Sequence, residues 1–293
     1  MSAQVIALYR LKRNPVVDHV ASRLNASVAF TQYSGHAIEL AANLPPDTSL
    51  VVAAGGDGTV SEVVNGLMRR PREQRPPLLI VPYGSGNDTA RTIGARGTLA
   101  DIDRRIDNMA TVEWDVMKID LLGPDSAPST RYGINAMSVG VSAEVLRFYN
   151  RALRVIPARF GYVVATLLSF VRYRQTYIDI QLDNAAMTKK ILLVAVANCK
   201  WFGAGICVAP DAVPYDNIVD VTVAEGLGVL DFLRLLPRLR RPEPIVDPGL
   251  QYHTTTKVFL RPSAPLAVEV DGEFAGFGPA SISIMPKAVT LIA

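Results

Sequence analysis

The order of apolar and polar positions changes character once along the chain. In the first part, short apolar runs alternate with helical patterns. Gln4 to Tyr9, Val28 to Thr31, Leu50 to Ala54 and Leu78 to Val81 read as strands. Asn14 to Leu24 and Gly35 to Ala42 read as helices, the second stopped by Pro45-Pro46. After Ala54, the residues Val60, Val63, Val64, Leu67 and Met68 fall at i, i+3, i+4, i+7 and i+8, one face of a third helix. Unbroken apolar runs suit strands buried on both faces, so the alternation predicts a parallel sheet covered by helices.

Beyond about Val116 strands dominate. Val116 to Leu122, Arg131 to Val139, Tyr177 to Leu182, Lys190 to Asn198, Asp220 to Ala224, Thr255 to Leu260, Leu266 to Val270 and Ser281 to Ile284 carry the pattern, many joined by Gly, Pro or Asp turns. This predicts a mostly antiparallel β domain, interrupted by helical stretches near 143–174 and 230–239. The expected class is therefore an α/β domain followed by a β-rich domain. No internal repeat is visible.

Two glycine turns stand where strands end in the first part. Gly55-Gly56-Asp57-Gly58-Thr59 follows the Leu50 run, and Gly84-Ser85-Gly86-Asn87-Asp88 follows the Leu78 run. Glycines at such turns permit φ > 0 and leave no Cβ between backbone and ligand. A helix N-terminus fed by such a turn offers free N–H groups and a positive dipole end to a phosphate. Thr59-Val60-Ser61-Glu62 fits a capping box, which puts Thr59 at the cap of the third helix. Asn87 or Asp88 would cap the helix after the second turn, with Gly94 ending it. Turns at the C-terminal ends of successive parallel strands share one crevice of an open sheet. Two other motifs are absent. Neither turn completes G-x-G-x-x-G, because Thr89 and Ser61 stand at the last position, and Tyr83 and Asn87 break the hydrolase pattern G-x-S-x-G. Ser85 thus reads as a donor to phosphate and not as a nucleophile.

Composition narrows the class further. The chain has 293 residues, 49% hydrophobic and 19% charged, as a globular protein of two domains would. Lys plus Arg exceed Asp plus Glu by 30 to 27, too small a balance for a nucleic-acid footprint but compatible with a weak preference for an anionic membrane. Arg69 to Pro77 reads as a solvated basic loop. Two cysteines, Cys199 and Cys207, suggest a reducing compartment, and three histidines give no zinc spacing. The N-terminus lacks the basic start of a signal peptide, and the apolar run Tyr162 to Val171 is too short to span a bilayer. The expectation is a cytoplasmic protein whose membrane contact, if any, is peripheral.

These motifs, in order, carry a resemblance. Gly55-Gly56-Asp57-Gly58-Thr59, Pro82-x-Gly84-Ser85-Gly86-Asn87-Asp88 and Asp271-Gly272-Glu273 resemble the diacylglycerol kinase catalytic-domain family, in its bacterial lipid kinase branch, with sphingosine and ceramide kinases as relatives. Asn135 to Gly140 and Asn198 to Ala212 are more weakly similar. The resemblance runs from about Val5 to Pro286. It implies a nucleotide domain, residues 1–118 joined by 286–293, and a lipid-substrate domain, residues 119–285, with ATP in the cleft between them. The implied reaction moves the ATP γ-phosphoryl group to a lipid hydroxyl with Mg²⁺. The implied nucleotide-site residues are Thr31, Gly55, Gly56, Asp57, Gly58, Thr59, Ser61, Glu62, Gly84, Ser85, Gly86, Asn87 and Asp88.

Each role has a plainer counterpart. Asp57 beside a triphosphate implies a bridging Mg²⁺, or else it only stabilises its loop. Glu62 has its capping-box role, and Thr31 fits a strand-end hydroxyl. Asp271 and Glu273 are the candidate bases toward the acceptor hydroxyl, while D-G-E is also an ordinary hairpin turn. The resemblance implies a second, structural Mg²⁺ held by Asp216 and the carbonyls of Val213 and Ile218, although Asn217 replaces the family's Gly. Arg147, Arg151, Arg154, Arg159, Arg172 and Arg174 in one helical stretch, and Arg234, Arg238, Arg240 and Arg241 in the other, accompany apolar positions and suit an anionic bilayer or a solvated helix edge. One departure is clear: the family's Asn-Pro-x-Ser-Gly is here Asn14-Pro15-Val16-Val17, so either Arg10, Lys12 or Arg13 supplies phosphate charge instead, or nucleotide binding is weakened. The alternatives are an NAD kinase-like enzyme, which shares Gly-Gly-Asp-Gly-Thr, and a non-catalytic nucleotide- or lipid-binding protein.

Overall fold

The computed structural model describes residues 2–12, 14–149, 165, 168–170 and 172–293. Arg13, Arg151, Arg154, Arg159 and most of the Tyr162 to Val171 run lie outside the described residues. The chain divides into two units, Met1–Val116 with Met285–Ala293, and Met117–Ile284.

The first unit is a parallel sheet with helices. Its strands are β1 (Ala3–Ala7), β2 (Ser27–Phe30), β3 (Leu50–Gly55), β4 (Leu78–Pro82) and the end of the long β16 (Glu273–Ile292). Their order is β2-β1-β3-β4-β16, and every neighbouring pair is parallel. Its helices are α1 (Pro15–Leu24), α2 (His36–Ala42), α3 (Asp57–Leu67), α4 (Asp88–Thr92) and α5 (Leu99–Asn108). Asn14 caps α1 by accepting from Val16 N, with Pro15 at the first helical position, where a missing N–H costs nothing. Every residue of β3 is buried, as a central parallel strand requires.

Two features of this unit are not visible in the periodicity. Helix α5 is one; it is strongly polar, and Thr98 caps it by accepting from Asp101 N. Its Arg105 is 1% exposed and donates to the carbonyls of Ile80 on β4 and Ile292 on β16, so one guanidinium ties both strands to the helix. Burial lowers that guanidinium to about 10, which still leaves it charged at neutral pH. The other is the Arg69–Pro77 loop, which is more than solvated. Arg70 is buried and donates to the carbonyls of Ala42 and Leu44, while Arg72 and Arg75 donate to those of Lys287 and Ala288.

The second unit is antiparallel. It contains β5 (Thr111–Leu122, from Met117 on), β6 (Pro128–Gly133), β7 (Ala136–Gly140), β8 (Thr176–Leu182), β9 (Ala186–Ala197), the short β10 (Trp201–Phe202) and β11 (Ile206–Cys207), β12 (Val219–Glu225), β13 (Leu250–Thr255), β14 (Lys257–Pro262), β15 (Ala267–Val270) and most of β16. Pairings run in a closed circuit: β7 with β15, β15 with β16, β16 with β14, β14 with β8, β8 with β9, and β9 back to β7. Strands β12 and β13 extend from β9. Met117, Ile119, Val194, Val196, Val258, Leu260 and Val268 belong to the core inside. Helices α6 (Val141–Phe148) and α7 (Val229–Leu239) stand where helical stretches were predicted.

Three predicted strands divide differently. Arg131–Val139 breaks at Ile134-Asn135 into β6 and β7, and Thr255–Leu260 proves to span the end of β13 and β14. The first break has a cause. The N–H groups of Ile134, Asn135 and Ala136 all point at the Asp271 carboxylate. Ser281–Ile284 is only part of the 20-residue β16.

Candidate active site

In the first unit the two glycine turns pack directly on each other. A Cβ on Gly84 would lie 2.5 Å from the Cα of Gly56, and one on Gly56 would lie 3.0 Å from the Cα of Gly84. Real Cβ atoms do not come within 2.5 Å of backbone, so the contact needs glycine at 84 and is tight for anything larger than glycine at 56. Two hydrogen bonds fasten the turns, Tyr83 N to Gly55 O at 2.7 Å and Thr89 N to the Asp57 carboxylate at 3.1 Å. The predicted shared crevice is therefore a single bonded unit. Within it Asn87, at φ 54°, accepts from Gly84 N and donates to Gly84 O, closing the second turn on itself. That commits its side chain, so it does not cap α4. Asp57, from the other turn, caps α4 in its place by accepting from Thr89 N.

Helix α3 begins at Asp57 with Gly56 at its N-cap, three residues earlier than the capping box predicted. Thr59 lies inside the helix, and a Cβ on Gly55 would collide with its side chain. Glu62 is not a capping-box partner. Its two oxygens accept from Gly35 N at 2.7 Å and Ala37 N at 3.1 Å, so it caps α2 and leaves the nucleotide set. Thr31 is buried, and its hydroxyl accepts from Tyr9 N, which makes it a strand-end link between β2 and the segment after β1. Ser61 is buried on α3. Asp88 is also buried, at the first position of α4.

The residues of this set that face solvent lie in the two glycine turns. Gly56, Asp57, Gly58, Gly84 and Gly86 are partly exposed, and Ser85 is exposed. An open cleft of about 560 Å³ is lined by Arg10, Asn14, Tyr83, Gly84 and Ser85 among others. Arg10 donates to Tyr83 O at 2.8 Å, so this guanidinium is fixed at the second glycine turn. Of the two described cations proposed to replace the missing Ser-Gly, Arg10 and Lys12, Arg10 lines the cleft. Lys12 sits over the Tyr9 ring.

In the second unit Asp271 and Glu273 share the hairpin turn between β15 and β16. Val270 pairs with Glu273, and Asp271 and Gly272 have φ of 50° and 85°, a two-residue turn of the I′ kind. The turn reading therefore holds. Asp271 is 4% exposed, with one oxygen accepting from Ile134 N and the other from Asn135 N and Ala136 N. Glu273 is exposed.

Sequence reasoning overlooked Glu269, two residues before Asp271. The available signal was a lone acid in the apolar run Leu266 to Val270. Its side chain is 2% exposed; it accepts from Ser138 Oγ at 2.7 Å and from Gly272 N at 3.0 Å. Burial, and then the Asp271 charge, push its carboxyl up to about 7 against the two hydrogen bonds. The folded pKa therefore lies above the unfolded one, and the folded chain holds the extra proton between about pH 4.5 and 7. Below that window Glu269 costs nothing; as pH rises through it, stability is lost. Glu269→Gln is expected to unfold like the parent near pH 4.5 and to exceed it by about 3 kcal/mol above pH 7, measured by denaturant melts across pH.

The Asp216 turn is closed by its own bonds. Asp216 accepts from Ile218 N at 3.2 Å, and Val213 O accepts from Tyr215 N at 2.9 Å. Asn217 takes φ 68°, the conformation the family's Gly would supply. Burial, with Asp216 and Asp211 adding repulsion, pushes Asp220 up to about 6. Among the described residues no three His, Cys, Asp or Glu side chains come together as a metal cluster. One carboxylate and two carbonyls are what this turn offers.

An apolar cavity of about 170 Å³ lies in the second unit, between α6, α7 and the sheet. Val145, Phe170, Leu192, Phe232 and Leu235 are among its walls, and Ser142, Cys207, Thr222 and Tyr252 are its polar positions. No helix among the described residues is long and apolar enough to cross a membrane.

Comparison with known proteins gives the family of the chain. The sequence matches the diacylglycerol kinase catalytic domain over residues 11–119 and the YegS C-terminal NAD kinase beta sandwich-like domain over residues 135–293. The chain belongs to the diacylglycerol kinase catalytic-domain family, in its YegS-like branch. It is a kinase. Among its relatives is a diacylglycerol kinase of Bacillus subtilis (strain 168), 28% identical over 230 residues, 78% of this chain and 73% of that protein. A crystal structure of a diacylglycerol kinase from Bacillus anthracis str. Sterne superimposes with a TM-score of 0.72 at 17% identity, covering 99% of this kinase and 96% of that chain. An NAD kinase from Archaeoglobus fulgidus, solved with ATP, shares the fold with a TM-score of 0.55 at 13% identity, over 100% and 94%.

Proposed function

We propose that this kinase transfers the γ-phosphoryl group of ATP to the hydroxyl of a lipid alcohol of the diacylglycerol, sphingoid or ceramide kind. The observation that carries the proposal is the bonded pair of glycine turns, with no Cβ at the Gly56–Gly84 contact and with Ser85 and Arg10 beside it. Amides of the turns, the Ser85 hydroxyl and the Arg10 guanidinium hold the phosphates by charge-assisted hydrogen bonds. Thr89 N takes one oxygen of Asp57, which leaves the other for the Mg²⁺ that accompanies ATP. When bound, that ion offsets the charge of the triphosphate. The lipid oxygen forms the new bond to phosphorus, the bond from phosphorus to the β-phosphate oxygen breaks, and ADP leaves. The hydroxyl proton goes to a carboxylate of the Asp271–Glu273 turn. The nearly unmixed apolar cavity of the second unit suits an acyl or sphingoid chain.

The Asp216 turn belongs to the same proposal as a structural cation site. Its donors, one carboxylate and the Val213 and Ile218 carbonyls, are the hard oxygens that a hydrated Mg²⁺ takes.

The family relative among NAD kinases motivates a direct discrimination. Incubation with ATP, Mg²⁺ and NAD is expected to yield no NADP, while ATP with Mg²⁺ raises the melting temperature. NADP formation would replace the lipid reading with the nucleotide one.

Peripheral membrane contact is proposed through α7. Leu230 and Leu233 are 77% and 47% exposed, Pro237 continues their stripe, and Arg238, Arg240 and Arg241 stand beside it in solvent. Apolar and cationic positions on one exposed face suit an anionic interface. Co-sedimentation with phosphatidylglycerol vesicles is expected to fall at least about fivefold in the double variant Leu230→Glu, Leu233→Glu, with the fold unchanged. Unaltered sedimentation would remove α7 as the contact.

A further inference from the structure

Behind the Asp271 turn a chain of hydrogen bonds leads from a buried acid to the apolar cavity. Gly272 N donates to one Glu269 oxygen, Ser138 Oγ donates to the other at 2.7 Å, and Ser138 Oγ lies 2.7 Å from Ser142 Oγ. Ser142 opens α6 and lines the cavity. The cavity's other polar groups are differently committed. Thr222 donates its hydroxyl proton to Val208 O, Tyr252 OH accepts from Ile245 N, and burial keeps the Cys207 thiol protonated. Among the described residues of the wall, Ser142 is the hydroxyl connected through bonded neighbours to a titratable group.

We propose that Ser142 receives a non-reacting hydroxyl of the lipid acceptor in this cavity, and that Glu269, acting through Ser138, decides whether Ser142 accepts or donates a hydrogen bond there. The inference rests on the lipid-alcohol reading above. Its logic follows from one proton per hydroxyl. With Glu269 ionised, the carboxylate only accepts, so Ser138 gives its proton to it. Ser142 must then give its own proton to Ser138. Toward the cavity Ser142 has only lone pairs, and it binds a ligand that donates, an alcohol. With Glu269 protonated, the two serine bonds reverse, while Gly272 N still donates to the other Glu269 oxygen. Glu269 donates to Ser138, Ser138 donates to Ser142, and Ser142 turns its proton into the cavity. An ether or carbonyl oxygen is then accepted as readily as an alcohol.

Glu269 titrates near neutrality, so both arrangements are reachable at ordinary pH. Among the described residues, the titratable or charged groups on elements packed against β15 are Asp271 and Glu273 at its turn, Glu144 and Arg147 on α6, and Arg131 and Tyr132 on β6; β7 contributes none. Asp271 raises Glu269 further, while Glu144 and Arg147 pair with each other at 3.0 Å. Glu269 and Ser138 are positioning residues here, and Ser142 is the group that touches the ligand.

The test is calorimetric binding to the full chain without nucleotide, using octanol and its isomer heptyl methyl ether. The two probes match in size and differ in having a proton to give. Above pH 7 the parent is expected to prefer octanol by about tenfold, the worth of one hydrogen bond. Near pH 5.5 that preference disappears. Glu269→Gln, whose amide donates to Ser138 permanently, shows no preference at either pH, and neither does Ser142→Ala. A preference that survives in Ser142→Ala, or that ignores pH in the parent, overturns the inference. If Glu269→Gln fails to fold, the parent's pH series and Ser142→Ala decide alone. Failure of the lipid-kinase reading looks different: no lipid alcohol is phosphorylated, yet the octanol preference switches with pH.

Discussion

Asp57→Asn is expected to lower phosphoryl transfer by at least about a hundredfold in kcat while leaving the melting temperature within a degree or two of the parent. The two halves of this expectation come from the two oxygens of one carboxylate. One accepts from Thr89 N and caps α4 from the neighbouring turn. The asparagine oxygen can still do that, so the cradle stays closed. The other oxygen carries the charge that a metal-bound triphosphate requires, and an amide cannot supply it. Alanine at the same position would remove the cap as well, costing about 1 kcal/mol more. Steady-state turnover beside a thermal melt reads both effects. Asparagine with near-parent turnover would reduce Asp57 to a loop residue.

The second large effect is expected at the Asp271–Glu273 turn. With both Asp271→Asn and Glu273→Gln, turnover is expected to fall by roughly 10²–10⁴, the worth of a positioned base. The single variants separate chemistry from architecture. Glu273 is exposed on a strand end, so its amide should leave stability alone. Asp271 accepts three backbone N–H groups, and an asparagine nitrogen would face one of them donor to donor. That variant should lose about 1–3 kcal/mol of stability from the unsatisfied amide. A loss of turnover in Glu273→Gln alone identifies the exposed carboxylate as the base. A loss in Asp271→Asn, assayed well below its melting temperature, identifies the buried one. Parent-like turnover in the double variant would remove the turn from the chemistry.

The fold class was legible because buried parallel strands and antiparallel strands write different patterns, and the chain contains both. The glycine turns were legible because their chemistry is local. What the sequence hid was every contact made at long range. Glu62 fits a capping box by spacing, yet it reaches 27 residues back to cap α2. Asn87 and Asp88 fit the cap of α4, yet Asn87 is closed on Gly84 and Asp57 supplies the cap from 32 residues away. The run Arg131 to Val139 reads as one strand because nothing nearby announces a break. The break is imposed by a carboxylate some 136 residues later in the chain. Helix α5 escaped notice because its anchor is Arg105, and a buried guanidinium counts as polar in any periodicity. Glu269 was hidden for the opposite reason. A single acid does not disturb an apolar strand pattern, and only the folded sheet shows that its side chain faces inward onto Ser138.

The central claim is that the cradle of Gly56 and Gly84 delivers a phosphoryl group to a lipid. The most direct measurement incubates the kinase with γ-labelled ATP and Mg²⁺ over diacylglycerol, sphingoid, ceramide and glycolipid acceptors presented in anionic vesicles. The account predicts label in a chloroform-extractable phospholipid from at least one acceptor, absent without Mg²⁺ and absent in Asp57→Asn. Label that stays wholly in water-soluble products with every acceptor, while ATP still protects the protein from melting, would contradict it.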